Sequence, residues 1–195
     1  MREFIEGTTV SPKYDLRVGA TEHEVQTIIG LIKKYNIHNF VEVGIHEGGL
    51  TEILLSETHC NYLGIEINEQ IVSPFVKKEA QDKNFRIIYA DCMLSYTLEN
   101  VADFLFINTG ADIVYCDNGN KKEEIKIYAD IVEFGSILLT HDFSDGIRKV
   151  RDIENYNYPE VTLDDVKFLD NNLSFQRLPE ELLKETRLVG WMRIN

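Results

Sequence analysis

Apolar residues recur along this chain in two alternating rhythms. Val25, Ile28, Ile29 and Ile32 fall at helical spacing behind Thr21. Glu24 stands three residues after Thr21, so the pair forms a capping box and a helix is predicted from there to about Tyr35. Five short apolar stretches then read as strands: Asn39–Val43, Tyr62–Ile67, Phe85–Tyr89, Ala111–Cys116 and Ser136–Thr140. Helical spacing separates them over Leu50–Ser56, Glu69–Ala80, Ser95–Phe106 and Lys121–Phe134. Gly135 suits a left-handed cap closing the last of these helices. Ser136–Thr140 is nearly all apolar, as a strand buried on both faces should be. Further on, Asp145–Asn155 predicts a weaker helix, and Val166–Leu169 and Leu188–Ile194 predict two final strands. Residues 1–20 carry Gly7, Pro12 and Gly19 with little periodicity and read as an irregular arm.

Strands that alternate with helices imply an α/β fold, a doubly wound and mainly parallel sheet. With 195 residues and no Gly-, Pro- or Ser-rich linker, the chain reads as a single domain over 1–195. A chain of this length buries roughly 70% of its unfolded surface without staples.

The net charge of −13 narrows the partners. Lys33-Lys34, Lys77-Lys78 and Lys121-Lys122 are short clusters that read as solvated helix faces, so no nucleic acid is expected as a partner. A small-molecule substrate fits better. No apolar run is long enough to span a bilayer, so no membrane is expected either. Cys60, Cys92 and Cys116 have no disulfide spacing, and the first residues carry no apolar leader, which makes a reducing cytoplasm the expected compartment. The sequence leaves a homo-oligomer open.

In open α/β sheets ligands sit outside the carboxyl ends of the strands. Here strand after strand ends in an acidic or metal-competent group: Glu42 with Gly44, then Glu66, Asp91, Asp117, and His141 with Asp142. A helix cap explains any one of them, but a packing requirement does not explain the set. Gly44, Gly48 and Gly49 lie in the turn after the Asn39–Val43 strand, where glycine lets backbone approach a ligand. A dinucleotide fingerprint would need glycine where Glu42 stands. A carboxylate there suits an ammonium or sulfonium centre better than a pyrophosphate. Glu66 can take both ribose hydroxyls, and Asp91 can meet the exocyclic amine of an adenine.

Glu42-x-Gly44-x-x-x-Gly48-Gly49, with Glu66 and Asp91, resembles the motif set of class I S-adenosylmethionine-dependent methyltransferases over about residues 20–145. The resemblance implies a Rossmann-like, seven-stranded sheet with an antiparallel terminal strand. It implies that Glu42 and the Gly44–Gly49 loop, His46 included, face the methionine of S-adenosylmethionine. Glu66 would take the ribose and Asp91 with Cys92 the adenine. Asp117 would border the cofactor as well.

Val41–Gly49, Val114–Asn120 with Glu123, and Gly135–Asp142 are similar to the cephalosporin-hydroxylase-like and macrolide sugar O-methyltransferase group. That likeness implies O-methylation of a small hydroxylated acceptor such as a sugar. It also implies a divalent metal, Mg²⁺ or Mn²⁺, held by Asp117, His141 and Asp142. The chain departs from the group's pattern at three places. Asp117-Asn-Gly-Asn120-Lys-Lys-Glu123 lacks the group's histidine and tyrosine, Leu50 replaces a serine, and His141 replaces an acid. Histidine in an oxygen set shifts the preference away from magnesium. Two catalytic roles follow as expectations: Asp117 at the acceptor, and Lys121 as proton acceptor if burial depresses its pKa. The altered 117–122 segment keeps a second reading open, a non-catalytic S-adenosylmethionine-binding module or subunit of a larger assembly.

Overall fold

Thr21 begins the ordered logic of the chain. Its hydroxyl accepts from the Glu24 amide at 3.2 Å, while the Glu24 carboxylate accepts from the Thr21 amide at 2.8 Å. That box opens helix α1, Glu22–Lys34, which buries Val25, Ile28, Ile29 and Ile32 as their spacing requires. The computed structural model describes residues 8–81, 84–108, 110–146, 149–151, 153 and 160–195.

Ahead of α1, β1 (Thr8–Val10) and β2 (Arg17–Thr21) pair antiparallel. The described part of the arm is therefore a hairpin rather than the irregular stretch expected. Val18 and Ala20 face inward from β2 and Arg17 and Gly19 face out, an alternation too short to be conspicuous in the sequence.

The central elements follow in alternation. They are β3 (Ile37–Val43), α2 (Gly49–Glu57), β4 (Asn61–Glu66), α3 (Pro74–Glu79), β5 (Phe85–Tyr89), α4 (Ser95–Ile107), β6 (Ala111–Cys116), α5 (Lys121–Ala129) and β7 (Ile137–Thr140). Two helices differ from expectation. The stretch Glu69–Ala80 is a 3-10 turn, Glu69–Ile71, followed by α3, because Pro74 disfavours helix at Ser73 and starts a new one at its own position. Helix α5 stops at Ala129 with Asp130 as its cap. Gly135 does adopt a left-handed φ of +84°, but it turns the chain into β7 and donates to the Arg193 carbonyl at 2.8 Å.

Past β7 come the short strands β8 (Phe143–Ser144) and β9 (Val161–Thr162), then α6 (Leu163–Asp170), β10 (Phe175–Arg177) and β11 (Val189–Arg193). The strand expected at Val166–Leu169 is thus the middle of a helix. Thr162 and Asp165 form a second capping box there, and Val166 and Leu169 are the buried face, three residues apart. The helix expected over Asp145–Asn155 falls largely outside the described residues.

The main sheet has seven strands in the order β10-β11-β7-β6-β3-β4-β5. Strands β7, β6, β3, β4 and β5 run parallel, and β11 pairs antiparallel with both β7 and β10. Alternate residues of β3 feed two cores. Phe40 packs on one face with Tyr62, Tyr115 and the α1 residues, and Val41 and Val43 pack on the other with Val101, Phe104 and Tyr128. Among the described residues no helix is long and apolar enough to cross a membrane. The three cysteines are buried and unpaired.

Strand β3 has β4 on one side and β6 on the other, so the order in which strands are added to the sheet reverses between β3 and β6. The crevice at their carboxyl ends is where such a sheet opens to a ligand.

Candidate active site

The loop leaving β3 is held open by backbone geometry. Gly44, His46 and Gly48 have φ of +93°, +52° and +91°. Gly44 donates to the Ile65 carbonyl at 2.9 Å and Gly48 to the Ile45 carbonyl at 2.8 Å. A Cβ on residue 44 would lie 2.9 Å from the Asn118 Cα, so this position needs glycine twice over, for its φ and for the loop after β6 pressed against it. Gly49 meets the Arg17 carbonyl in the same way, which seats the N-terminal hairpin on the start of α2.

Glu42, the last residue but one of β3, is buried beneath this loop. Its Oε2 accepts from the Thr51 hydroxyl at 2.9 Å and from the Tyr62 hydroxyl. Both donors meet Oε2, and Oε1 takes none among the described residues. Burial, opposed by the bond from Thr51 and assisted by Asp117 and Glu66, pushes the Glu42 carboxyl well above its ordinary pKa. An arriving cation would draw it back toward the carboxylate.

Glu66 closes β4 and pins two turns at once. Its Oε2 accepts from the His46 amide at 3.0 Å and its Oε1 from the Asn68 amide at 2.9 Å. His46 therefore joins the loop through its backbone, while its ring is exposed. Asp91 is exposed after β5 and accepts from the Met93 amide at 2.9 Å. Cys92 is buried behind it, and burial pushes its thiol up to about 11. The Asn118 amide donates to Cys92 Sγ at 3.5 Å, tying the turn after β5 to the loop after β6.

On the other side of the crevice the charges are dense. Two backbone bonds extend the sheet past its strand ends, Asp117 to the Val43 carbonyl at 3.0 Å and His141 to the Cys116 carbonyl at 3.3 Å. They bring Asp117, His141 and Asp142 together, with one ligand atom of each within 4.8 Å of the others. His141 Nδ1 lies 3.2 Å from Asp117 Oδ1 and 3.7 Å from Asp142 Oδ1. Its Nε2 lies 3.3 Å from Glu24 Oε2, an ion-pair distance without hydrogen-bond geometry. Burial and Arg187 pull the imidazole down, but Asp117, Asp142 and Glu24 outweigh them and raise its pKa to about 9. Asp142 holds a left-handed φ of +55°. Despite burial, His141, Lys121 and Arg187 lower its pKa to about 2.

Lys121 was expected to be a solvent-side residue or a depressed base, and it is neither. Its side chain is 2% exposed. Nζ lies 3.4 Å from Asp117 Oδ1, 3.1 Å from Asp142 Oδ2 and 2.8 Å from Glu160 Oε2, and donates to the Asn118 carbonyl at 2.9 Å. Burial alone would lower its pKa, but the three carboxylates raise it well above the ordinary lysine value. These surroundings favour its ammonium form, against the depressed base expected.

Sequence reasoning missed the residues that hold this cluster. Arg187, 1% exposed, donates from Nε to Glu24 Oε1 at 3.0 Å, from Nη2 to Glu24 Oε2 at 2.8 Å and to the Gly19 carbonyl at 3.0 Å, and from Nη1 to Asp142 Oδ1 at 2.9 Å. Glu24 itself was read only as a capping residue, a role it also keeps. Glu124, not Glu123, is the buried acid of α5. Its carboxylate accepts from the Asn118 and Asn120 amides at 3.4 and 3.2 Å, while Glu123 is exposed and pairs with Lys126. Burial raises Glu124, against those backbone bonds, to about 7.

The divalent metal implied by the sequence resemblance can be tested against this donor set. The three expected donors do converge. Lys121 Nζ, however, already lies 3.4 Å from Asp117 Oδ1 and 3.1 Å from Asp142 Oδ2, so a fixed cation faces both carboxylates that an ion would use. The second oxygen of Asp142 is committed to Arg187. The spacing of the three donors is compatible with a divalent ion, and the Lys121 ammonium competes with one for both carboxylates.

No protein-family profile matches the chain, and no curated protein matches it by sequence. Solved structures do match by fold. A candidate caffeoyl-CoA O-methyltransferase from Staphylococcus aureus superposes with a TM-score of 0.62 at 18% identity, covering 88% of this chain and 83% of that one. An apo structure of CmcI gives 0.63 at 14% identity, covering 93% and 75%. A point mutant of MtNAS in complex with S-adenosylmethionine gives 0.55 at 18% identity, covering 88% and 62%. At these identities the likeness is one of fold: a seven-stranded, Rossmann-like methyltransferase architecture.

Proposed function

We propose that this chain binds S-adenosylmethionine in the β3–β6 crevice and transfers its methyl group to a hydroxyl of a small acceptor such as a sugar. The observation that carries the first half is Glu42. It is a buried acid under a glycine loop, with Oε2 taken by Thr51 and Tyr62 and Oε1 taking no bond among the described residues. Glu66 and Asp91, at the next two strand ends, supply acceptors for the ribose hydroxyls and the adenine amine. Two structures that share the fold support the same reading, one a candidate caffeoyl-CoA O-methyltransferase and the other, MtNAS, holding S-adenosylmethionine.

Transfer is supported by the second half of the crevice. S-adenosylmethionine supplies an activated methyl group, and the chain's task is to align the acceptor and take its proton. We assign the proton to Asp117. Its Oδ1 faces His141 and Lys121 and its Oδ2 accepts from the Tyr115 hydroxyl at 3.2 Å. His141 and Lys121 then offer positive charge to an oxygen becoming negative. Metal assistance is not part of this reading, because the Lys121 ammonium competes with an ion for both carboxylates. A net charge of −13 and the acids around the crevice support a small acceptor over a nucleic acid. The buried, unpaired cysteines support a reducing cytoplasm.

Calorimetry should give one S-adenosylmethionine site per chain, and incubation with methyl-labelled cofactor and a panel of hydroxylated small molecules should label at least one acceptor. No cofactor binding would end the proposal. Binding without transfer to any acceptor would instead support the non-catalytic binding module.

A further inference from the structure

The surroundings of Lys121 match those of a hard metal ion. Three carboxylate oxygens and one backbone carbonyl surround Nζ at 2.8 to 3.4 Å. Hard divalent ions take that kind of oxygen set, carboxylates with a carbonyl, at somewhat shorter range. Each acid comes from a different place in the fold. Asp117 follows β6, Asp142 follows β7, and Glu160 precedes β9. Three separate segments thus converge on one ammonium, which itself stems from the first turn of α5. The neighbouring guanidinium of Arg187 takes the remaining oxygen of Asp142, so both carboxylates that would ligate a metal are already balanced by fixed side-chain cations.

We propose that Lys121 is the built-in cation of this site and stands in for a divalent metal, so that the acceptor is steadied by a side-chain charge and the site binds no metal ion. The role assigned to the charge rests on the methyl-transfer reading above. The occupancy claim does not, since it concerns only which cation fills the Asp117–Asp142–Glu160 cage. Removing Lys121 leaves three acids and a carbonyl facing one space, which is a vacancy that a divalent ion fits.

The test is Mn²⁺ titration of the full chain, followed by electron paramagnetic resonance of the free ion, with no cofactor or acceptor present. Wild type is expected to show no specific site, whereas Lys121→Ala should gain one site per chain, tighter by at least about tenfold than any wild-type binding. Lys121→Gln keeps a hydrogen-bonding, uncharged side chain in the cage and guards against an unfolded Ala variant. It should also gain Mn²⁺ binding, and Mn²⁺ should raise its melting temperature. Stoichiometric Mn²⁺ binding by wild type that disappears in Asp117→Asn overturns the proposal. So does a folded Lys121 variant that gains no binding. A failure to bind S-adenosylmethionine would overturn the proposed function and leave this result untouched.

Discussion

Arg187→Met removes the cation on which the buried half of the site rests. The side chain makes two bonds to Glu24, one to Asp142 and one to the Gly19 carbonyl, all at 2.8 to 3.0 Å. Methionine fills much of the same volume but leaves Glu24, fully buried, without its main counter-charge. Breaking a buried ion pair by removing one partner costs about 3–5 kcal/mol. The lower end applies here, because Glu24 keeps the Thr21 and Arg187 backbone amides at 2.8 and 2.7 Å and His141 at 3.3 Å. For a chain of this size about 3 kcal/mol corresponds to a fall of roughly 6–12 °C in melting temperature. Urea and thermal denaturation of wild type, Arg187→Met, Glu24→Gln and the double variant would measure it. Glu24→Gln should restore part of the loss, giving a coupling of at least about 1 kcal/mol between the two positions. A single-variant loss below about 1 kcal/mol, or strict additivity of the pair, would refute the argument that this ion pair carries the site.

Two further outcomes can be checked independently. His141 is raised from 6.5 to about 9, so the folded state holds its proton more tightly; its stabilisation is complete below pH 6.5 and is lost as pH rises through about 9. The shift corresponds to on the order of 3 kcal/mol, so wild type should weaken across that window in urea titrations while His141→Gln stays nearly flat; equal slopes would contradict it. Gly44→Ala forces a side chain onto a φ of +93° against Asn118, which should cost about 1–3 kcal/mol of stability and weaken S-adenosylmethionine binding in calorimetry by at least about tenfold; unchanged affinity would detach this loop from the cofactor.

Much of the fold was legible because local chemistry and tertiary packing agree. Thr21 and Glu24 capped a helix as their spacing said, and β5 and β6 fell on their predicted residues. Legibility failed where two periods compete. In Val166-Lys-Phe-Leu169 the alternation of Val166 and Phe168 suggested a strand, yet the buried pair is Val166 with Leu169, and Phe168 is 39% exposed. The Thr162–Asp165 box was the available signal, and it outranks a four-residue alternation. In the site, the strand-end rule found Glu42, Glu66, Asp117, His141 and Asp142, because topology alone brings such residues to one edge. Arg187 and Glu160 could not be found that way. They reach the crevice from segments outside the strand-end series, and no spacing in the chain records the encounter. Lys121 was located but its state was misjudged, since burial lowers a lysine's pKa only when acids do not surround it.

The Glu24–Arg187 pair joins positions 163 residues apart. A growing polypeptide therefore presents the whole glycine loop, and every acid of the crevice, well before the arginine that balances them has been synthesised. Until β11 docks beside β7, Glu24 and Asp142 lack their guanidinium, and contacts of such long sequence separation are the slow ones to form. The crevice is thus balanced only once residue 187 has been made and β11 has taken its place beside β7.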